Sequence, residues 1–257
     1  MFELISQFPL SFWLVTTGVA LTAGVVKGAV GFGMPMIMIV GISSVASVEV
    51  ALALLIVPTV ATNLVQALRG GLQAAWRAMV SFRVFLIVGA VCLVSSAQLV
   101  AVLPTHILFL MIGVPVCLFA GLQLVGFEFQ VAPERRQRFQ FMAASVAGFI
   151  GGISGVWGPP TVAYLTAVNT EKEEQIRIQG VVYGLGAVLL FMAHLKSGVV
   201  NMGTFPLSIL MLIPAGIGMG IGFWVQGRID QKTFKKATLI VLIIAGLNLL
   251  RRGMLGG

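Results

Sequence analysis

Eight runs of apolar sequence fill almost the whole chain, near residues 10–42, 50–68, 79–101, 105–126, 139–168, 176–195, 203–226 and 234–250. A hydrocarbon layer about 30 Å thick takes about 20 apolar residues per helix. Inside it, every backbone N–H and C=O must find a partner within the protein. Runs of this length restrict the chain to helices that cross or enter a membrane. The composition agrees: of 257 residues, 58% are hydrophobic and 9% charged, against about 25% charged in soluble domains. No polar stretch is long enough for a soluble domain. The longest, GFEFQVAPERRQRFQ from Gly126 to Gln140, lies near the middle. The N-terminal MFELISQF has no basic n-region, so no cleaved signal peptide is expected. The net charge of +8 reads as basic cytoplasmic loops rather than a nucleic-acid surface. Cys92 and Cys117 sit in apolar runs without metal-ligand spacing and read as packing residues.

The chain repeats itself. An offset of 124 residues lays AGVVKGAVGFGMP (Ala23 to Pro35) over AGFIGGISGVWGP (Ala147 to Pro159). It matches Gly24 with Gly148, Gly28 with Gly152, Gly31 with Gly155, Pro35 with Pro159 and Glu49 with Glu173. The division that follows is a first membrane repeat over 1–127, a cytoplasmic linker over 128–138 and a second membrane repeat over 139–257. Each repeat opens on a long segment broken by glycine and proline, which resist an uninterrupted helix. Paired broken segments at corresponding positions point to the binding site of a transporter.

Charge counts discriminate between topologies. If each broken segment simply crosses, nine loop cations fall on one side and six on the other. If each returns to its own side as a re-entrant hairpin, twelve fall on one side and only Lys196, Arg251 and Arg252 on the other. The positive-inside rule favours the second count. The expected fold is therefore an all-α polytopic membrane protein of two inverted repeats, each a re-entrant glycine-rich segment plus three transmembrane helices. The central loop is cytoplasmic and both termini are outside.

Lys27 stands among four glycines and a proline, with no charged neighbour from Glu3 to Glu49. A lysine at the bilayer centre costs about 2.5–3.5 kcal/mol, and such residues line pathways or pair with partners; the bland alternative is a side chain that snorkels to the interface. Met34-Pro35 and Pro159-Pro160 each open an apolar run, where proline suits the first turn of a helix. Two such helix N-termini would aim free N–H groups at the midplane. With Lys27 they make an anion site without an acidic residue, formed by Gly31, Phe32, Gly33 and Met34 in the first break and Gly155, Trp157, Gly158 and Pro159 in the second. The competing reading is that the glycines serve close helix packing, since Gly24 and Gly28 have small-xxx-small spacing. Asn63 and Gln66 could bond a ligand or an adjacent helix. Arg177 is either a loop arginine paired with Glu173 or Glu174 or a substrate contact. Trp157, Tyr164 and Tyr183 could line a pocket or simply pack and anchor.

An enzyme is not expected. There is no HExxH, no paired Asp-rich motif and no GxSxG, and His106 and His194 stand alone. No cofactor or metal is implied.

At VKGAVGFGMP and GGISGVWGPPTVAYL the chain resembles the sulfite exporter TauE/SafE family of membrane transporters, over essentially its whole length. Relatives carry a glycine-rich first motif with a basic or small residue where Lys27 stands, and a pattern matched by Gly158-Pro159-Pro160, Tyr164 and Arg177. The chain departs from the more glycine-rich form at Met34, Pro35, Trp157 and Pro159, which bears on the substrate. The resemblance implies transport of sulfite, organosulfonates or related small anions. The expected activity is secondary transport across the cell inner membrane by alternating access. The partners are the anion, the lipid bilayer and a coupling ion, proton or sodium. The alternatives are a passive anion channel and a membrane scaffold without transport. Compartment-specific reporters at the C-terminus and in the PERRQRF loop should report outside and cytoplasm respectively. A cytoplasmic C-terminus would refute the re-entrant topology.

Overall fold

Each of the eight apolar runs folds as helix over its described residues. The computed structural model describes residues 8–42, 44–97, 105–127, 131–154, 158–197 and 203–255. Among them are eleven α-helices and no strand. The first run breaks into α1 (Leu10–Val30) and α2 (Met34–Ile42). Next come α3 (Val48–Leu68), α4 (Leu72–Ser81), α5 (Arg83–Ala97) and α6 (Thr105–Leu124). A short 3-10 turn, Pro133–Arg135, opens the second half. The fifth run breaks into α7 (Arg136–Ser154) and α8 (Gly158–Ala167). The chain ends with α9 (Lys172–Ser197), α10 (Thr204–Arg228) and α11 (Gln231–Leu255). By length and composition α1, α3, α10 and α11 can each cross a membrane. The α4–α5 pair, bent by 66°, passes the same test as one broken span or re-entrant loop.

The compact units do not follow the sequence halves. One comprises residues 1–75 and 176–229, the other 76–175 and 230–257. Each unit thus takes helices from both halves, and the exchange is reciprocal. In the first unit, α1 of the first half packs on α10 of the second. In the second unit, α7 of the second half packs on α5 of the first.

Glycine makes both contacts close. A Cβ on Gly24 would strike the carbonyl of Ala215, and one on Gly28 would strike Met219 O and lie 2.9 Å from Gly222 Cα. The facing Gly218 and Gly222 meet the carbonyls of Leu21 and Val25 in the same way. In the second unit a Cβ on Gly148, the counterpart of Gly24, would strike the Gly89 carbonyl. Without a hydrophobic drive between helices in lipid, such close backbone approach is what holds them together. The small-residue reading of Gly24 and Gly28 is thus observed.

These contacts also fix direction. Leu21 and Val25 lie beside Gly218 and Gly222 in the same order, so α1 and α10 run parallel. Ser208 meets Leu54 and Val57, and Arg69 lies over the Phe223 ring, so α3 runs parallel to α10 and hence to α1. Between α1 and α3, α2 folds back: Gly41 packs on the Val19 side chain. The second unit holds a similar hairpin. Tyr164 of α8 packs on Phe139 of α7, ring centroids 5.9 Å apart, and Arg136 donates to the carbonyl of Val168 at 3.4 Å. There α6 and α11 run antiparallel, with Leu110 beside Gly253 and Cys117 beside Gly246.

The first unit has a core of Phe12, Met34, Met38, Ile42, Leu54, Leu55, Leu207 and Met211, among others. One polar device crosses it. Pro58 lies inside α3 and has no N–H for the carbonyl of Leu54. Ser208 repairs the gap: its hydroxyl donates to Leu54 O at 3.2 Å and accepts from Val57 N–H at 3.1 Å.

Gly28→Leu should collide with α10 backbone and cost at least the ~1–3 kcal/mol of overpacking. Gly220→Leu, on the same α10 but with nothing within 4 Å of its Cβ position, should be tolerated. Thermal melts of the two variants in detergent compare them, and equal melting temperatures would refute the close-contact account.

Candidate functional site

The first break begins where α1 ends. Gly31 takes φ 91° and its N–H bonds back to Lys27 O at 2.7 Å, a left-handed cap that glycine adopts without strain. Gly33 follows at φ 92°, and α2 starts at Met34. Phe32 and Met34 are buried, and Met34 Sδ accepts a weak bond from the Thr62 hydroxyl at 3.5 Å.

A helix end inside the protein leaves carbonyls that need donors. Two glutamines supply them. Gln66 Nε2, from α3, donates to Lys27 O at 3.2 Å and Gly31 O at 3.1 Å. Gln179, from α9, sets its amide against the break, within 3.3 Å of Val30 O and 3.0 Å of Gly31 O; an amide oxygen cannot bond two carbonyls, so hydrogen bonding assigns the nitrogen to that position as their donor. Both glutamines are fully buried. An amide has two N–H donors, so each is spent on the helix end.

Lys27 lies in the last turn of α1 and is only 2% exposed. It does not snorkel. Its Nζ donates to Asn63 Oδ1 at 2.5 Å, and no carboxylate pairs with it among the described residues. An ammonium has three donors, so two are left for another partner. On α3, Asn63 Nδ2 and, one turn earlier, Thr59 Oγ1 are buried and have no hydrogen-bond partner among the described residues. Among the described residues, the first unit thus brings together a buried lysine amine and a buried amide with an unused donor, and no carboxylate is paired with the lysine. The site is off the centre of its helix. Asn63 lies five residues beyond Pro58, the middle of α3, or about 8 Å at the helical rise.

The sequence-predicted residues fall into three groups. Lys27, Gly31, Phe32, Gly33, Met34, Asn63 and Gln66 are brought together in the first unit. Gly155 and Trp157 lie outside the described residues. Gly158, Pro159 and Tyr164 belong to the second unit: Pro159 is buried in the first turn of α8, and Tyr164 sits among Phe82, Phe85 and Phe139. A cleft of about 470 Å³ opens beside Tyr164, lined in part by Arg136, Gln140, Asn169 and Glu174. Arg177 is in the first unit but turns to the end of α3, where its Nε donates to Arg69 O at 2.9 Å. Gln179 and Thr59 were missed by sequence reasoning. The available signal was a glutamine one turn beyond Gln175, where α9 passes from its charged first turns into an apolar run.

These features define a multi-pass, all-helical membrane protein with a lysine buried at a helix break. The chain belongs to the sulfite exporter TauE/SafE family, whose description matches it over residues 16–249. No curated protein and no solved structure matches it.

Asn63→Leu should strand the Lys27 ammonium and cost roughly 1.5–3 kcal/mol, the range for hydrogen bonds to charged groups. In Lys27→Met protein the same change should cost much less. A double-mutant cycle from melts measures the difference, and a coupling near zero would mean that the two side chains do not depend on each other.

Proposed function

We propose that this protein is a secondary transporter of a small sulfur-containing anion, sulfite or an organosulfonate, across the inner membrane. One observation carries the reading: a buried lysine at a helix break whose partner among the described residues is the neutral side chain of Asn63. A buried charge is costly unless paired and hydrogen-bonded, and an oxyanion supplies both the charge and the acceptors that Lys27 lacks. Spare N–H donors on Asn63 and the Thr59 hydroxyl suit its remaining oxygens. The family membership agrees in substrate class. No nucleotide-binding motif is present in the sequence, so movement draws on an ion gradient, proton or sodium, or on the anion's own. The protein does no covalent chemistry on its substrate.

The two broken segments act as re-entrant hairpins in inverted repeats. Helix directions support this. If each broken segment crossed the membrane, α3 would run opposite to α1 and α10, and α6 would run alongside α11. In the first unit α3 runs parallel to both, and in the second α6 and α11 are antiparallel. Transport then proceeds by alternating access.

Purified protein in liposomes should accumulate labelled sulfite against its concentration when an ion gradient is imposed with the membrane potential clamped at zero, which a passive channel or a scaffold cannot do. Lys27→Met should insert normally, relieved of the roughly 2.5–3.5 kcal/mol insertion cost, yet carry no more sulfite than empty liposomes. Wild-type rates from Lys27→Met would reduce the lysine to a structural residue.

A further inference from the structure

The end of α1 has a chemistry opposite to its lysine. The carbonyls of Lys27, Val30 and Gly31 collect at the C-terminal end of the helix, where the macrodipole adds about half a negative charge. Bare carbonyls at an unwound helix are ligands for hard cations such as sodium and would repel an oxyanion. Here they are not bare. Four amide hydrogen bonds, two from Gln66 and two from Gln179, cover all three oxygens. Neither amide retains a donor for substrate.

We propose that Gln66 and Gln179 are positioning residues that make the first break anion-selective, by capping its carbonyls against cations and removing their repulsion of the anion held by Lys27. The proposal rests on the anion-transport reading for its second clause only. Gln179 comes from the second half of the sequence and the capped helix from the first, so the selectivity of this break depends on a side chain exchanged between the halves. The space is closed around it: a Cβ on Gly31 would strike the Gln179 amide, and one on Gly180 would lie 2.7 Å from Gln66 Cβ.

The two clauses are read separately. For cations, Lys27→Met protein is used, so that the ammonium cannot itself turn onto the bared oxygens. Radioactive sodium should bind purified Lys27→Met/Gln66→Leu/Gln179→Leu and not Lys27→Met alone. For the anion, with the lysine intact, Gln66→Leu/Gln179→Leu in liposomes should raise the KM for sulfite about tenfold, the scale of one or two lost hydrogen bonds, with maximal rate little changed. Gln179→Met, which keeps the side-chain volume, should show a smaller shift, and it decides both arms if the double change prevents folding. A merely structural role would lower the amount of active protein without moving KM or creating sodium binding. An unchanged KM, or a capless Lys27→Met protein that binds no sodium, overturns the proposal. Wild-type protein that moves no sulfite, alongside a capless variant that binds sodium, refutes the transport reading and supports the cation-exclusion clause.

Discussion

A helix that stops inside an apolar protein must find donors for its last carbonyls, because neither lipid nor water will provide them. In this protein that demand is met at Gly31 by two glutamine side chains, one from α3 and one from α9. The consequences spread outward. The glutamines tie three helices to one point, and the left-handed glycines let the chain turn there. The turn sends α2 back along α1, and α3 must then start on the side where α1 started. Its polar face, Thr59, Asn63 and Gln66, is thereby laid beside the last turn of α1, where Lys27 is waiting.

The site is an electrostatic imbalance kept in place by packing. Lys27 is buried, and Gly28, one residue on, lets α10 approach α1 to backbone contact. A side chain at that position would hold α10 off. Asn63 then gives the ammonium one neutral acceptor. The result is a cation with unused donors in a place where leaving it alone is unfavourable. Transport needs such a group, provided that binding compensates it only while the anion is present.

The exchange of helices between the halves bears on how such a protein could move. In each compact unit a broken segment from one half packs on a helix of the other through glycines at matching positions, Gly24 and Gly148. Movement of one unit would therefore involve both halves of the sequence.

The sequence by itself determined a great deal. The apolar runs dictated helices, since only internal hydrogen bonding survives in lipid. The glycine and proline at residues 31–35 dictated a break, because φ near +90° and a missing N–H are local facts of the chain. The lysine beside that break was legible as an oddity for the same reason. Other matters were set only by tertiary structure. The apolar run 10–42 has its middle near Lys27, so the linear reading put the break at the centre of the membrane. In the fold the break is set beside Gln66, two residues from the end of α3, a neighbour that depends on the register between α1 and α3. Tyr164, legible as a pocket residue or as packing, is enclosed by three phenylalanines drawn from α7 and from the α4–α5 bend. Gln179 was invisible in the sequence as a partner of Gly31, which lies 148 residues before it. Local rules fix where a chain must turn and where it must stay helical. They cannot say which distant donors will meet the carbonyls a turn exposes, because that depends on which helices pack, in which direction and in what register.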